Sequence, residues 1–175
     1  MFENDYTLYG KHATYVKFLH DEAKVFNRYI DVYMNGAIMG FLYGRKSIRD
    51  NTSTDRARIY ADAFANEKAR CEFIFRLIML LDETPGYTIE DRINRAFRDD
   101  ADGSDTEKNE KNMELFHSYV LGGIEVLYEQ FTKDCTTRDD YINKIYDVVT
   151  SFKEEVEGIP YADRIGEIID NKYTV

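Results

Sequence analysis

One carboxylate and one imidazole of this chain have the types and spacing of metal-binding groups. Glu114 and His117 form an ExxH pair on a predicted helix, the pair with which di-iron helix bundles bind one metal. A complete site of that kind needs a second ExxH and two further glutamates, and the chain contains no second ExxH. Glu67, Glu72 and Glu125 offer carboxylates, but we predict no metal and no cofactor.

Glu67 and Arg76 are predicted to be buried polar residues, because each interrupts an apolar series. A buried carboxylate costs several kcal/mol unless it is paired or protonated. One interpretation gives each an internal partner such as Arg45, Arg49 or Asp82. The other is a polar pocket in which a perturbed carboxylate acts as a base. Motifs such as GxSxG, GxxxxGK[ST], HExxH and GxGxxG are absent, so we predict no catalytic residue and expect a non-enzymatic protein.

Residues 28–50 combine aromatic rings, glycines and a basic end. Gly36, Gly40 and Gly44 are spaced four apart and contribute almost no side-chain burial, so this segment needs a close neighbour. That neighbour belongs either to the fold or to another molecule. Because Tyr and Arg are enriched at interface hot spots, we predict a partner-binding set. It consists of Tyr29, Tyr33, Phe41, Tyr43, Arg45, Lys46 and Arg49.

A second glycine pair, Gly122-Gly123, lies inside a predicted helix, where it lowers helix propensity without a local reason. We therefore predict that the two glycine sites face each other or face a common partner.

Charge patterning supports two nucleic-acid hypotheses. Arg92, Arg95 and Arg98 step by three along a short helix and form a possible phosphate-binding stripe. The net charge of −10 opposes general nucleic-acid affinity. Residues 1–98 carry 15 Lys and Arg against 14 Asp and Glu, whereas residues 99–175 carry 8 against 19. The acidic C-terminal part therefore admits the opposite hypothesis, an acidic DNA mimic.

Apolar periodicity predicts the helices that position these residues. Intervals of three and four recur over 12–26, 60–81, 113–131 and 142–156. The second of these lies in a helix predicted from the end of the loop NTSTD to about Glu83. Apart from the hairpin candidate in 28–50, no segment reads as a strand. The apolar run FIFRLIMLL predicts burial on more than one side. Helix starts are predicted at Thr88 with Asp91, Ser104 with Glu107, and Thr137, and a last helix carries Ile165, Ile168 and Ile169.

Asn35-Gly36 leaves two alternatives for the segment 28–50, a helix or a β-hairpin. A lone hairpin is marginally stable, so we favour the helix. The predicted fold is an all-α, single-domain bundle of about six helices, two of them long, over residues 1–175.

Composition favours a cytoplasmic protein that does not enter a membrane. Cys71 and Cys135 lack CxxC spacing and are expected to be reduced thiols. No signal peptide is recognised at the N-terminus, and FIFRLIMLL is much shorter than the ~20 residues needed to span a bilayer.

Four segments resemble parts of small bacterial proteins, some of which belong to phage-defence or DNA-modification gene clusters: FLYGRKSIRD, FRLIMLLDE, EDRINRAFRDD and SYVLGGIEVLYE. The resemblance identifies no family and assigns no residue a role, but it favours an accessory subunit. Our first expectation is an interaction or accessory protein, such as a small subunit of a bacterial complex, that binds a protein partner or itself. The alternative is a nucleic-acid-associated accessory factor or DNA mimic.

Overall fold

The computed structural model describes residues 1–83, 86–99 and 106–158. Within these residues the fold is mostly helical, which confirms the predicted all-α class. The elements are β1 Tyr6–Tyr9, α1 Gly10–Lys17, a π-helical turn Phe18–Glu22, α2 Tyr29–Leu42, β2 Arg56–Ile59, α3 Ala61–Asn66, α4 Lys68–Leu81, α5 Ile89–Phe97, α6 Thr106–Thr132 and α7 Arg138–Glu157. Two compact units are distinguished, Met1–Gln130 and Phe131–Val175, and the expectation of one domain stays a prediction.

The small sheet corrects the expectation that the chain offers no strand besides the hairpin candidate. β1 pairs antiparallel with β2, with Tyr6 opposite Ile59 and Tyr9 opposite Arg56. Each strand has four residues, too few for period-2 alternation to stand out in the sequence. Their pairing joins segments about fifty residues apart, which no local pattern reveals.

The segment around Asn35-Gly36 is helical, so the favoured alternative is confirmed and the hairpin is wrong. α2 continues through both residues, and the Asn35 amide donates a hydrogen bond to the Asp31 carbonyl one turn earlier. Gly44 follows the helix with a φ of +60°, the left-handed conformation that commonly ends helices.

The continuous helix predicted from the end of the loop NTSTD to about Glu83 is wrong, because Arg56–Ile59 form β2 and the helix that follows is interrupted at Glu67. Tyr60 is extended, and the next backbone N–H, that of Ala61, donates 2.9 Å to the Asp5 carboxylate and starts α3. Glu67 has a φ of −110° and a ψ of 16°, which separates α3 from α4. The helix predicted over 12–26 is also shorter, since α1 passes into the π-helical turn and ends at Glu22.

An aromatic cluster forms the centre of the larger unit. The Tyr33 ring lies edge-on to Phe64 at 5.2 Å between centroids, and Phe75 lies 5.5 Å from Phe116. Phe2 lies within 6.3 Å of three of these rings, and all five side chains are buried. Edge-to-face and stacked pairs of this kind are favourable ring contacts, and the cluster uses five of the 25 aromatic residues.

Two predicted helix starts are confirmed by their hydrogen bonds. Thr88 and Asp91 form a capping box at α5, and Thr137 and Asp140 form one at α7. Ser104 and the predicted helix with Ile165, Ile168 and Ile169 lie outside the described residues. No residue of α7 is buried, so its apolar residues Ile142, Ile145, Val149, Phe152 and Val156 are at least partly exposed.

Candidate functional site

The glycine ridge of α2 is used inside the larger unit, against α6. A Cβ on Gly40 would lie 2.8 Å from the Tyr119 carbonyl carbon, and one on Gly123 would lie 2.6 Å from the Gly36 carbonyl carbon. Only glycine permits backbones to approach this closely. The prediction that the two glycine sites face each other is therefore confirmed. Gly44 does not take part, because no atom lies within 4 Å of its Cβ position.

This crossing changes the interpretation of the predicted aromatic partner-binding residues. Tyr33 is 1 % exposed and its hydroxyl lies 3.1 Å from His117 Nε2, so it is a core residue and no partner reaches it. Phe41 is half-buried and packs edge-on against the Tyr119 ring. The structure thus assigns both rings to internal packing, which corrects the prediction for Tyr33.

The other two aromatic residues of the set lie further out. Tyr29 is half-buried and donates a hydrogen bond to Asp21, whereas Tyr43 is 61 % exposed and accepts one from the Gln130 amide.

The basic residues of the set are already engaged within the larger unit. Arg45 donates to the carboxylates of Glu125 and Glu129. Lys46 Nζ lies 3.5 Å from the Asp82 carboxylate. The Arg49 guanidinium stacks on the Tyr9 ring of β1. The seven predicted residues therefore serve several local roles.

Glu125 is the centre of a buried polar network in the middle of α6. Its carboxylate is 7 % exposed and accepts hydrogen bonds from Ser47 Oγ at 2.6 Å, Lys11 Nζ at 2.9 Å and His12 Nε2 at 3.0 Å. Burial raises the pKa of Glu125, but these donors outweigh it and lower the pKa to about 2. Burial in turn lowers the pKa of His12. The pair is an ionised carboxylate beside a neutral imidazole that donates through Nε2.

Sequence reasoning missed this network, although a signal existed. Glu125 interrupts the apolar run VLGGIEVL as Glu67 interrupts its own seam, and a buried carboxylate requires donors. The donors come from positions about eighty and over one hundred residues earlier, so their identity depended on the tertiary structure.

A second network surrounds Asp82, at the C-terminus of α4. Asp82 is 3 % exposed and accepts a 2.6 Å hydrogen bond from the Tyr119 hydroxyl. Arg95 Nη1 lies 3.5 Å from the same carboxylate, and its Nε donates to Asn112.

This second network corrects the predicted arginine stripe. Arg95 is 4 % exposed, and the Arg92 side chain is 19 % exposed and lies 3.6 Å from Glu83. Arg98 remains exposed and donates to Asn94. The three arginines consequently do not present a continuous phosphate-binding surface, because one is buried in an ion pair.

The two residues predicted to be buried polar groups have different surroundings. The Glu67 side chain is 11 % exposed and pairs with Arg28 at 2.8 Å and Arg70 at 3.2 Å. An internal ion pair was one of the predicted alternatives, but the suggested partners were wrong. The Arg76 side chain is 40 % exposed, so its predicted burial is wrong; it lies 4.0 Å from Glu72.

An exposed apolar surface covers two packed helices, and we name it the α4–α5 face. Its residues repeat every four positions along each helix and are 38–69 % exposed. They are Phe73, Leu77 and Leu81 on α4, and Ile89, Ile93 and Phe97 on α5. The helices pack against each other, and the Arg76 guanidinium lies 6.0 Å from the Phe97 ring. This corrects the prediction that FIFRLIMLL is buried on more than one side.

The size of the α4–α5 face can be approximated from these exposed fractions. With roughly 200 Å² for a Phe side chain and somewhat less for Leu and Ile, the six residues leave about 600 Å² of apolar surface. The largest apolar patch on a typical monomer is ~300–600 Å² and often functional. The α4–α5 face lies at the upper end of that range.

The described residues hold neither a metal-ligand cluster nor a helix suited to span a membrane. They contain no group of three or more His, Cys, Asp or Glu side chains that could hold a metal ion. In the ExxH pair, Glu114 is exposed while His117 faces Tyr33. None of the helices in the described ranges combines the length and the apolar character that a membrane span needs.

Comparison of the chain with protein-family models, with curated proteins and with solved structures gives no match.

Proposed function

We propose that this protein is an interaction module that self-associates through the α4–α5 face. The observation that carries the proposal is the pair of exposed apolar stripes on two packed helices. Removing such a surface from water lowers the free energy of the system by about 25 cal/mol per Å² of apolar area. The same side chains have no hydrogen-bonding group that could read a nucleic acid or a polar metabolite, which leaves an apolar protein surface as the complementary partner.

A second copy of the chain is the partner that the area supports. In an isologous dimer each copy contributes the same patch, so the face is buried twice. About 600 Å² from each copy gives about 1,200 Å² in total, the lower limit for specific interfaces. We therefore expect a dimer of modest affinity, held by apolar contacts.

The test is the molar mass in solution, by light scattering after size exclusion, at about 10 µM and 300 µM protein, a range that brackets modest affinities. The wild-type chain is expected to shift from monomer towards dimer as concentration rises. Because the contacts are apolar, the shift is expected to persist between about 50 mM and 500 mM salt.

Variants locate the contact. Leu77→Glu combined with Ile93→Glu places two charges in the face and is expected to give a monomer at both concentrations. Ile48→Glu is the matched control, because Ile48 is 84 % exposed and lies outside α4 and α5. A wild-type monomer at the higher concentration contradicts the proposal, and so does a double variant that dimerises like the control.

Nucleic-acid association stays the alternative proposal. Its sequence support came from Arg92, Arg95 and Arg98, and the burial of Arg95 removes the central residue of that stripe. Steep loss of binding to a DNA duplex with added salt would be its signature.

A further inference from the structure

A cavity of about 480 Å³ lies on the larger unit, away from the α4–α5 face. It is lined by β1, the start of α1, residues 47–49 and one side of α6. Small-molecule sites typically measure ~300–1,000 Å³, so its volume suits a small organic ligand. Its polar and aromatic lining residues include Tyr6, Tyr9, His12, Arg49, Glu114 and His117.

The loop beside the cavity is held in place at both of its ends. The Ser47 backbone N–H donates to the Ser118 carbonyl on α6. The Asp50 carboxylate accepts a 2.7 Å hydrogen bond from the Lys11 backbone N–H at the start of α1. That backbone donor is the main reason why the pKa of Asp50 falls to about 2. The cavity wall is therefore preorganised, and a ligand meets it already formed.

His12 is one of the residues that line this cavity, and one of its ring nitrogens has no hydrogen-bond partner among the described residues. Its side chain is 0 % exposed, and Nε2 is occupied by Glu125. Because the ionised carboxylate only accepts, Nε2 carries the proton and Nδ1 is left as an acceptor. Nδ1 has no hydrogen-bond partner in the described part of the chain. Buried polar atoms are nearly always satisfied, so an orphaned acceptor on a residue that lines a cavity indicates a missing donor.

Arg49 supplies a positive charge at the same cavity. Its guanidinium lies 3.4 Å from the Tyr9 ring centroid, and that of Arg56 lies 5.2 Å from the same ring. Among the described residues neither arginine has a carboxylate within ion-pair distance. Stacking fixes the plane of a guanidinium and leaves its N–H groups directed outward, which is the arrangement that binds carboxylates and phosphates.

The remaining lining is aromatic and largely uncharged. The Tyr6 and His117 rings stack at 4.3 Å between centroids with 23° between their planes. Burial lowers the pKa of His117 to about 4, so its ring is neutral near pH 7. Glu114 adds one carboxylate on the α6 side. It repels a second negative charge, so the anionic group of a ligand belongs at Arg49.

We propose that this cavity binds a small organic anion, with its anionic group on Arg49 and a hydroxyl or N–H group donating to His12 Nδ1. The anionic group is a carboxylate or a phosphate ester, since both match the guanidinium fork. The site is independent of self-association through the α4–α5 face.

Three probes test the proposal by calorimetric titration of the wild-type chain: lactate, adenosine 5′-monophosphate and inorganic phosphate. Lactate carries a carboxylate and a hydroxyl, and the nucleotide carries a phosphate ester, hydroxyls and a flat base. Saturable binding of either organic anion is expected, and the tighter one identifies the source of the anionic group. Inorganic phosphate lacks the organic part, so binding of inorganic phosphate alone contradicts the proposal.

Matched variants identify the residues. Arg49→Gln is expected to weaken binding by about ten-fold or more, as the loss of a charge-assisted hydrogen bond does. Arg58→Gln removes the same charge from the neighbouring β2, where Arg58 lies 3.7 Å from Asp5, and is expected to change binding less than about two-fold. Equal losses in the two variants would mean that binding depends on general charge only.

His12 is tested without substitution, because it is buried. The ¹⁵N resonance of its Nδ1 is expected to shift when the organic anion binds, as an acceptor gains a donor. The ¹⁵N resonances of His20, on the π-helical turn and outside the cavity lining, serve as the internal reference. The proposal is overturned if none of the probes binds at about 10 mM, where even millimolar affinity saturates, or if the Nδ1 resonance stays unchanged on saturation.

Discussion

Replacing single glycines with alanine should rank the close contacts between α2 and α6. The structure predicts an order from the space at each Cβ position. A Cβ on Gly36 would lie 3.0 Å from the Val120 carbonyl oxygen, which a small shift relieves. On Gly40 it would lie 2.8 Å from the Tyr119 carbonyl carbon, and on Gly123 2.6 Å from the Gly36 carbonyl carbon.

The magnitudes follow from two opposing effects. Alanine in a helix interior gains about 1 kcal/mol over glycine in propensity. Forcing side-chain volume into a packed site costs about 1–3 kcal/mol, and more where the obstacle is backbone that moves only with its whole helix. We therefore expect Gly36→Ala to change the unfolding free energy by less than about 1 kcal/mol. Gly40→Ala should lower it by about 2 kcal/mol, and Gly123→Ala by about 3 kcal/mol.

Gly44→Ala is the control for backbone conformation. Gly44 has a φ of +60° but no atom within 4 Å of its Cβ position, so it carries left-handed strain without a clash. That strain alone costs about 1–2 kcal/mol.

The assay is urea denaturation followed by circular dichroism, with equal m-values as the check that the unfolded states match. The Gly40→Ala and Gly123→Ala double variant should lose less than the sum of the singles, because one separation of the helices relieves both clashes. Equal stabilities of Gly36→Ala and Gly123→Ala, or a stabilised Gly123→Ala, would refute the crossing.

Three further predictions concern the buried polar groups. The Glu125 pKa of about 2 lies below the ordinary 4.5, so its stabilisation is complete above pH 4.5 and is lost as pH falls towards 2. The wild-type protein should lose about 3 kcal/mol of unfolding free energy as the pH falls across that range, measured by urea denaturation at each pH. In Glu125→Gln this acid-dependent loss should be absent. The His117 pKa of about 4 lies below the ordinary 6.5. As the pH falls from 6.5 to 4, the imidazole takes up a proton in the unfolded chain before it does so in the folded protein, which lowers the stability by about 3 kcal/mol. In His117→Gln the melting temperature should therefore depend less on pH over that window. Asp82→Ala should lower the unfolding free energy by about 3–5 kcal/mol, because it removes the carboxylate that the buried Tyr119 hydroxyl and the buried Arg95 guanidinium share. A loss below about 1 kcal/mol in guanidinium denaturation would contradict this.

Local features of the fold were predictable because they depend on interactions between residues close together in the chain. The capping boxes at Thr88 and Thr137 join residues three apart, and the helix periodicity of α6 and α7 lies within each segment. The facing glycines were predictable for a related reason. A glycine in a helix interior lowers stability unless another backbone packs closely against it. Two helices that each contain such glycines are therefore expected to cross at them.

The candidate sites were predictable only in part. The sequence showed that a buried Glu67 requires a cation. That cation is Arg28, the residue immediately before α2, and only the tertiary structure places it beside Glu67. It showed three arginines in one stripe, but α5 buries Arg95 against Asp82. Residue type and spacing indicate which groups need a partner. The identity of the partner depends on which element of the fold packs against them.

The sequence by itself therefore determined the all-α class, the capping boxes at Thr88 and Thr137 and the need for a close glycine contact, since residues close together in the chain decide these. Only the tertiary structure decided that β1 pairs with β2, that His12 meets Glu125, and that the outer stripes of α4 and α5 remain exposed. The physical reason is that an apolar stripe is buried only where another element supplies a surface to cover it. That supply depends on the path of the whole chain, which periodicity within one helix does not contain.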